Sequence, residues 1–137
     1  MPEIVLTKEQ EVGIAKIDEQ HRVLLNKVND LIEMGPQAFS SEEIQKTLDL
    51  LGNYVIEHFA DEEELQIQCG YPEYETHKKQ HQDFIEELTK VKNKYPSEGI
   101  TFQFVLNLMK MITTWALKHI ADSDVAFGRY YREKMGV

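Results

Sequence analysis

The sequence is short of everything that would make it a disulfide-stapled, membrane-spanning or nucleic-acid-binding protein. One cysteine, Cys69, occurs in 137 residues; this excludes an internal disulfide and suits a reducing compartment, so a cytoplasmic location is expected. No run approaches the roughly 18 apolar residues that a membrane span needs. The start, Met1 to Glu9, has no basic stretch followed by an apolar one, so no signal peptide is read. Cations are outnumbered, 15 Lys and Arg against 24 Asp and Glu, for a net charge of −9, which disfavours a nucleic-acid partner. Strand signals are missing too: there is no sustained alternation and no Asn-Gly hairpin. What is left is a length suited to one domain, residues 1–137, with one real hydrophobic core.

The few prolines and glycines punctuate four helical patterns. Gly35-Pro36 closes a first pattern that runs from about Ile17 to Met34. Ser40 followed by Glu43 reads as a capping box that starts a second, which stops at Cys69-Gly70. Pro72 is placed in the first turn of a third, ended by Tyr95-Pro96, and a fourth begins near Gly99-Thr101 and passes Lys118. Within each, steps of 3 and 4 trace one inward stripe: Ile14, Ile17, His21, Leu24, Val28 and Leu31 in the first, Leu48, Leu51, Val55, His58, Glu62, Leu65 and Cys69 in the second. The third gives Tyr74, His77, His81, Phe84, Leu88 and Val91, and the fourth Val105, Leu108, Ile112, Trp115 and His119. Short connections make successive helices antiparallel neighbours, so the expected fold is all-α, an up-down-up-down four-helix bundle.

All five histidines interrupt these apolar stripes, and so does Glu62. One histidine on an apolar face is usually a satisfied core residue. Burying five imidazoles and a carboxylate without partners would cost several kcal/mol per group, a penalty that a metal removes by taking the lone pairs. Height along the bundle agrees. His21 is early in the first helix, His58 and Glu62 late in the second, His77 and His81 early in the third, and His119 late in the fourth. In an antiparallel bundle those positions are at one end. His58/Glu62 and His77/His81 are i,i+4 pairs, able to chelate. The segment His77-Lys78-Lys79-Gln80-His81 has no glutamate after the first histidine and so lacks the general base of a zinc protease.

Four segments together, Ile17-Asp18-Glu19-Gln20-His21, His58-Phe59-Ala60-Asp61-Glu62-Glu63, His77 to His81, and His119-Ile120-Ala121-Asp122-Ser123-Asp124, resemble the hemerythrin family, most nearly its stand-alone bacterial kind. The likeness covers nearly the whole chain. It implies a non-haem di-iron centre in which His77, His81 and His119 are terminal ligands of one iron and His21 and His58 of the other. Glu62 and Asp124 would bridge the two irons together with an oxo or hydroxo group. Such a set leaves one position of two octahedral irons open, on the two-histidine side, where dioxygen would bind reversibly as carrier or storage cargo. Trp115 and Ala116 would line that pocket. The implied protein is not an enzyme, although peroxide or oxygen reduction on the same scaffold and an oxygen- or redox-sensing module are the alternatives. No output domain is read, and no protein partner is identified.

Two positions strain the resemblance. Periodicity from His119 favours Asp122, at i+3, whereas the family pattern favours Asp124, at i+5. Following the family requires a loosened, π-type turn over 120–124 that re-aims the carboxylate; otherwise both aspartates only cap a short last helix from about Val125 to Glu133. Ala116 stands where the family usually has leucine, and Leu6 about where it tends to have tryptophan, which opens the question of a cavity or water path. A ferritin-like enzyme is a poor match because no Glu-x-x-His pair occurs, and seven ligands exceed the needs of one tetrahedral zinc. Cys69 reads as buried and inert. Met109, Met111, Phe102, Phe104, Tyr130 and Tyr131 read as packing, and the acidic run from Asp61 to Glu64, Glu62 apart, as a solvated face.

Overall fold

The computed structural model describes residues 6–34, 41–94 and 101–137. Four long helices carry the chain up and down a bundle: α1 (Ala15–Met34), α2 (Ser41–Cys69), α3 (Tyr74–Asn93) and α4 (Phe102–His119). Helix α4 does not end at His119 but widens into a π turn, Ile120–Asp124, and resumes as α5 (Val125–Met135). Among the described residues there is no strand, and no helix is long and apolar enough to cross a membrane. Helix α1 packs on α2 and α4, α2 also on α3, and α5 folds back along α2.

The helix ends follow local chemistry. Gly70 takes φ +68° beyond Cys69. From there the Tyr71 N–H bonds to Gln66 O at 2.9 Å and the Gly70 N–H to Ile67 O at 3.2 Å; this paired closure satisfies two orphaned carbonyls. Thr101 caps α4 by accepting the Phe104 N–H at 3.1 Å. Pro72 is not in the first turn of α3: Glu73 is the cap and the helix starts at Tyr74. The proline lies in the preceding tight turn, closed by Tyr74 N–H to Tyr71 O at 3.2 Å, where its fixed φ serves equally well. The Ser40 cap, Gly35-Pro36, Tyr95-Pro96 and Gly99 fall outside the described residues.

Among the described residues, two apolar clusters fill the interior. The larger joins Leu24, Val28, Leu31, Leu48, Leu51, Val55, Phe59, Phe84, Val105, Leu108, Met109 and Ile112. The smaller joins Val12, Ile14, Ile17, Cys69 and Phe127, with Leu65, Tyr71, Tyr130 and Tyr131 packed against it. Met111 and Phe104 also pack on the larger cluster, so Met109, Met111, Phe104, Tyr130 and Tyr131 do serve as packing. The loop before α1 seals the smaller cluster. Asp18 accepts the Val12 N–H at 2.7 Å and the Gly13 N–H at 3.1 Å, and Arg132 of α5 donates to Val12 O.

Gly128 is the tightest point of this seal, since a Cβ there would strike the Val12 carbonyl and side chain. Overpacking a backbone contact of this kind costs about 1–3 kcal/mol. Gly128→Ala is therefore expected to lower the stability of the metal-free protein by that amount, read as a shift in denaturant midpoint at unchanged slope.

Candidate metal centre

Between the two apolar clusters is a layer of ionisable side chains that solvent barely reaches. His21, His58, His77, His81 and His119 are 1–7% exposed, Glu62 0% and Asp124 1%. Each helix of the bundle contributes to it: α1 gives His21, α2 His58 and Glu62, α3 His77 and His81, and α4 with its π turn His119 and Asp124. The expectation that all five histidines converge at one end is met.

The π turn decides between the two aspartates. The Val125 N–H bonds five residues back to Ile120 O, and the wider turn brings the fifth residue after His119 round to the face that His119 occupies. Asp124 thereby enters the layer, while Asp122 is left exposed on the surface. The helical periodicity that favoured Asp122 assumed a regular turn that this segment does not make.

Each carboxylate divides its two oxygens between two groups of imidazoles. Glu62 Oε1 lies 2.6 Å from His77 Nε2 and 3.4 Å from His81 Nε2, and Oε2 lies 3.8 Å from His58 Nε2. Asp124 Oδ1 lies 2.9 Å from His77 Nε2 and 3.0 Å from His119 Nε2, and Oδ2 lies 3.1 Å from His21 Nε2. The ligand atoms of Glu62, His77, His81, His119 and Asp124 fall within 4.8 Å of one another, as do those of His21, His58, Glu62 and Asp124. The layer is two overlapping cages that share Glu62 and Asp124.

Hydrogen bonds outside the cages fix which imidazole nitrogen faces inward. Gln20 Nε2 donates to Asp61 at 2.8 Å, so its Oε1 is the atom left to accept from His58 Nδ1 at 2.7 Å. Glu63 accepts from His81 Nδ1 at 2.8 Å. With the proton on Nδ1, His58 and His81 turn bare Nε2 lone pairs into the layer. Asp61 and Glu63 are thus not solvated bystanders, as the acidic run suggested; both are half-buried and hold the ligand shell. Sequence reasoning missed Gln20 and Glu63, whose only signal was an amide or acid one residue away from a candidate ligand. Rings complete the frame: Phe59 stacks on His81 at 3.9 Å, and Trp115 on His119 at 4.3 Å and on Phe84 at 4.1 Å.

This donor set fits a cation. His119 Nε2 approaches His77 Nε2 to 3.0 Å and His81 Nε2 to 3.1 Å. Imidazole–metal bonds of about 2.1 Å at right angles set nitrogens about 3.0 Å apart, and tetrahedral bonds about 3.4 Å. Both oxygens of Glu62 and Oδ1 of Asp124 are buried yet accept no well-directed hydrogen bond, the signature of atoms whose partner is an ion. Burial holds His58 down at about 4 against the pull of Glu62, so it is a neutral donor at neutral pH. Burial also opposes charge on His77, but contacts to Asp124 and Glu62 prevail and raise it to about 9. For Glu62 and Asp124 burial again opposes ionisation, and the facing histidines outweigh it and lower both.

Beside the two-histidine cage is a small cavity of about 10 Å³, walled by His21, His58, Phe59, Trp115, Ala116 and Ile120 among others. That is barely the volume of one water, so Ala116 does not open a wide space. Leu6 is half-buried and does not line the cavity. Cys69 is a free, buried thiol that burial pushes up, as expected of an inert one.

Residues 12–130 match the family described as the hemerythrin HHE cation binding domain. The chain is 32% identical to a myohemerythrin of Theromyzon tessulatum over 85% of its length and 84% of that protein's. It is 30% identical to a bacteriohemerythrin of Stenotrophomonas maltophilia over 85% of its length and 73% of the other's. A crystal structure of wild-type hemerythrin superposes with a TM-score of 0.79 at 23% identity, covering 93% of this chain and 97% of that one; this likeness concerns the fold.

Two outcomes follow for the layer. Asp124→Asn should cut metal retention sharply while Asp122→Asn leaves it intact, read as metal per chain after gel filtration. In the metal-free protein, His58 stabilises the fold above pH 6.5 and loses that contribution as pH falls toward about 4. His77 stabilises below pH 6.5 and loses it as pH rises through about 9. Its melting temperature should therefore peak near pH 6.5, and metal loading should flatten the alkaline limb, because the ion displaces the His77 proton.

Proposed function

The chain belongs to the hemerythrin HHE cation-binding family, and from that premise we propose that it binds dioxygen reversibly at a pair of irons, as a carrier or store and not as an enzyme. In this reading His77, His81 and His119 hold one iron, His21 and His58 the other, and Glu62 and Asp124 bridge them. The observation that carries it is the division of each carboxylate's oxygens between a three-histidine and a two-histidine cage. Bridging carboxylates are needed only where two cations sit side by side, and the unequal cages leave room for an external ligand on the two-histidine side alone. Two ferrous ions held by these residues would supply the two-electron chemistry that reversible dioxygen binding needs.

The residues around the cages serve reversibility. Leu24, Val55, Phe84 and Ile112 wall the cavity beside Ala116 with apolar surface and exclude the water that would turn binding into oxidation. Gln20 and Glu63 keep His58 and His81 in the ligating tautomer, and the Trp115 indole fixes the plane of His119. The single cysteine supports a cytoplasmic setting. Nucleic acid is not a partner in this reading, and the only one it requires is dioxygen. The second reading, a redox enzyme or sensor on the same scaffold, draws on Ala116; a cavity of only about 10 Å³ there argues for the first.

The test is the visible spectrum and iron content of anaerobically reduced protein before air, after air and after removal of oxygen. Two irons per chain and a band that appears with air and vanishes on deoxygenation are expected; a fleeting band would transfer the assignment to a redox enzyme or sensor. Ala116→Leu fills the small cavity and should slow autoxidation. An unchanged rate would mean that the cavity does not control water access.

A further inference from the structure

About one to two helical turns beyond the histidine layer, a second cavity of about 70 Å³ lies between α2, α3 and α4. Its walls include Leu48, Leu51, Val55, Leu88, Leu108 and Ile112. Val55 and Ile112 also line the small cavity beside Ala116, so these two side chains face both spaces. We propose that the larger cavity is an apolar gas site, the antechamber through which dioxygen passes between solvent and the two-histidine cage. This rests on the dioxygen-binding reading above.

Size and lining select the occupant. Organic ligands occupy pockets of roughly 300–1,000 Å³, far more than this one offers. Its inner walls are apolar, and apolar cavities of comparable size take up small apolar guests such as xenon. Gly52 forms part of the mouth. A Cβ at that position would meet nothing nearer than Lys92 Nζ, at 3.9 Å, so the missing side chain leaves an opening and not a packed contact. Lys92 reaches over the rim from α3 to Asp49 of α2, Nζ to Oδ1 2.8 Å, with both side chains substantially exposed. A surface ion pair of that sort contributes little stability and swings aside readily.

The other approaches are less suited to a gas. On the opposite side a wider concavity formed by Gln80, Trp115, Lys118, Asp122 and Ser123 reaches His119. It is polar, and it meets the three-histidine cage. The Trp115 ring, stacked between His119 and Phe84, stands between it and the cavity beside Ala116. Phe59, stacked on His81, closes the α2–α3 side of the layer. Among the described residues, the route past Val55 and Ile112 is walled next to the layer by aliphatic and aromatic side chains and meets polar ones, Asn53, Thr89 and Lys92, only at the outer cavity.

A passage residue and a site residue leave different marks on kinetics. Xenon-pressurised crystals of the iron-loaded protein should show xenon among Leu51, Leu88 and Ile112. Gly52→Phe, which plugs the mouth, should abolish that density. It should also slow dioxygen association and dissociation together by about tenfold, the effect of roughly 1.4 kcal/mol on a passage barrier, with their ratio and the visible band unchanged. Lys92→Trp closes the same mouth from α3 and should act alike if Gly52→Phe fails to fold. Absence of xenon from the wild-type cavity overturns the proposal. So do plugged variants whose two rates are unchanged, or whose ratio of rates shifts. If the wild type takes up no dioxygen reversibly, the functional reading fails, and xenon occupancy alone then decides whether the cavity is a gas site.

Discussion

The structure is organised around the cost of burying charge. Seven ionisable side chains, five imidazoles and two carboxylates, occupy a layer with almost no solvent exposure, sealed above and below by apolar clusters. In so low a dielectric, unpaired groups of this kind would each cost several kcal/mol. The histidines and carboxylates therefore face one another, and a bound cation is the partner that would satisfy their inward lone pairs. The bundle supplies what this needs: four parallel walls, each delivering one or two donors at the same height without breaking its own backbone hydrogen bonds.

A regular helix could not complete the layer. The i,i+4 pairs on α2 and α3 come free with helical geometry, but α4 must present His119 and a carboxylate to the same pair of cages. The π turn provides that by shifting register once. It also redirects the chain so that α5 packs Phe127 beneath the layer and brings Gly128 and Arg132 against the loop at Val12. That loop is in turn fastened by Asp18, one helical turn before His21. One departure from α-helical geometry thus brings Asp124 into the layer and closes the bottom of the site.

Much of this was legible in the sequence because helical periodicity and ligand chemistry give independent signals that coincide. Steps of 3 and 4 set the helices, and the histidines on those steps set the layer. Asp124 was legible only through the family pattern, since periodicity assumes a constant 100° per residue and pointed to Asp122. Pro72 was placed one turn too deep because a fixed φ near −65° suits a tight turn as well as a first helical turn. Glu63 was read as solvated because its neighbours Asp61 and Glu64 are also acidic. Nothing along the chain says which member of an acidic run leans back over a helix 18 residues downstream. Tertiary hydrogen bonds of this kind have no period, which is why the candidate ligands were found before their supports.

In the dioxygen-binding reading proposed above, the division between holding dioxygen and consuming it does not reside in the fold or in the layer of donors. Both outcomes need two cages, bridging carboxylates and an open side; they differ in how freely water and protons reach that side. The relevant residues are therefore those that shape apolar space, and they extend outward from Ala116 through Val55 and Ile112 to the mouth at Gly52. Along this line every wall next to the layer is aromatic or aliphatic, and the first polar side chains are Asn53, Thr89 and Lys92 at the far cavity. A path of that character discriminates by hydration: dioxygen loses almost nothing on leaving water, whereas a water molecule entering alone forfeits its hydrogen bonds. On the proposed route, selectivity for the gas would be built into the helix faces above the site, and the small residue at 116 is tolerable because the cavity beside it is walled by aliphatic and aromatic side chains on every side except the cage itself.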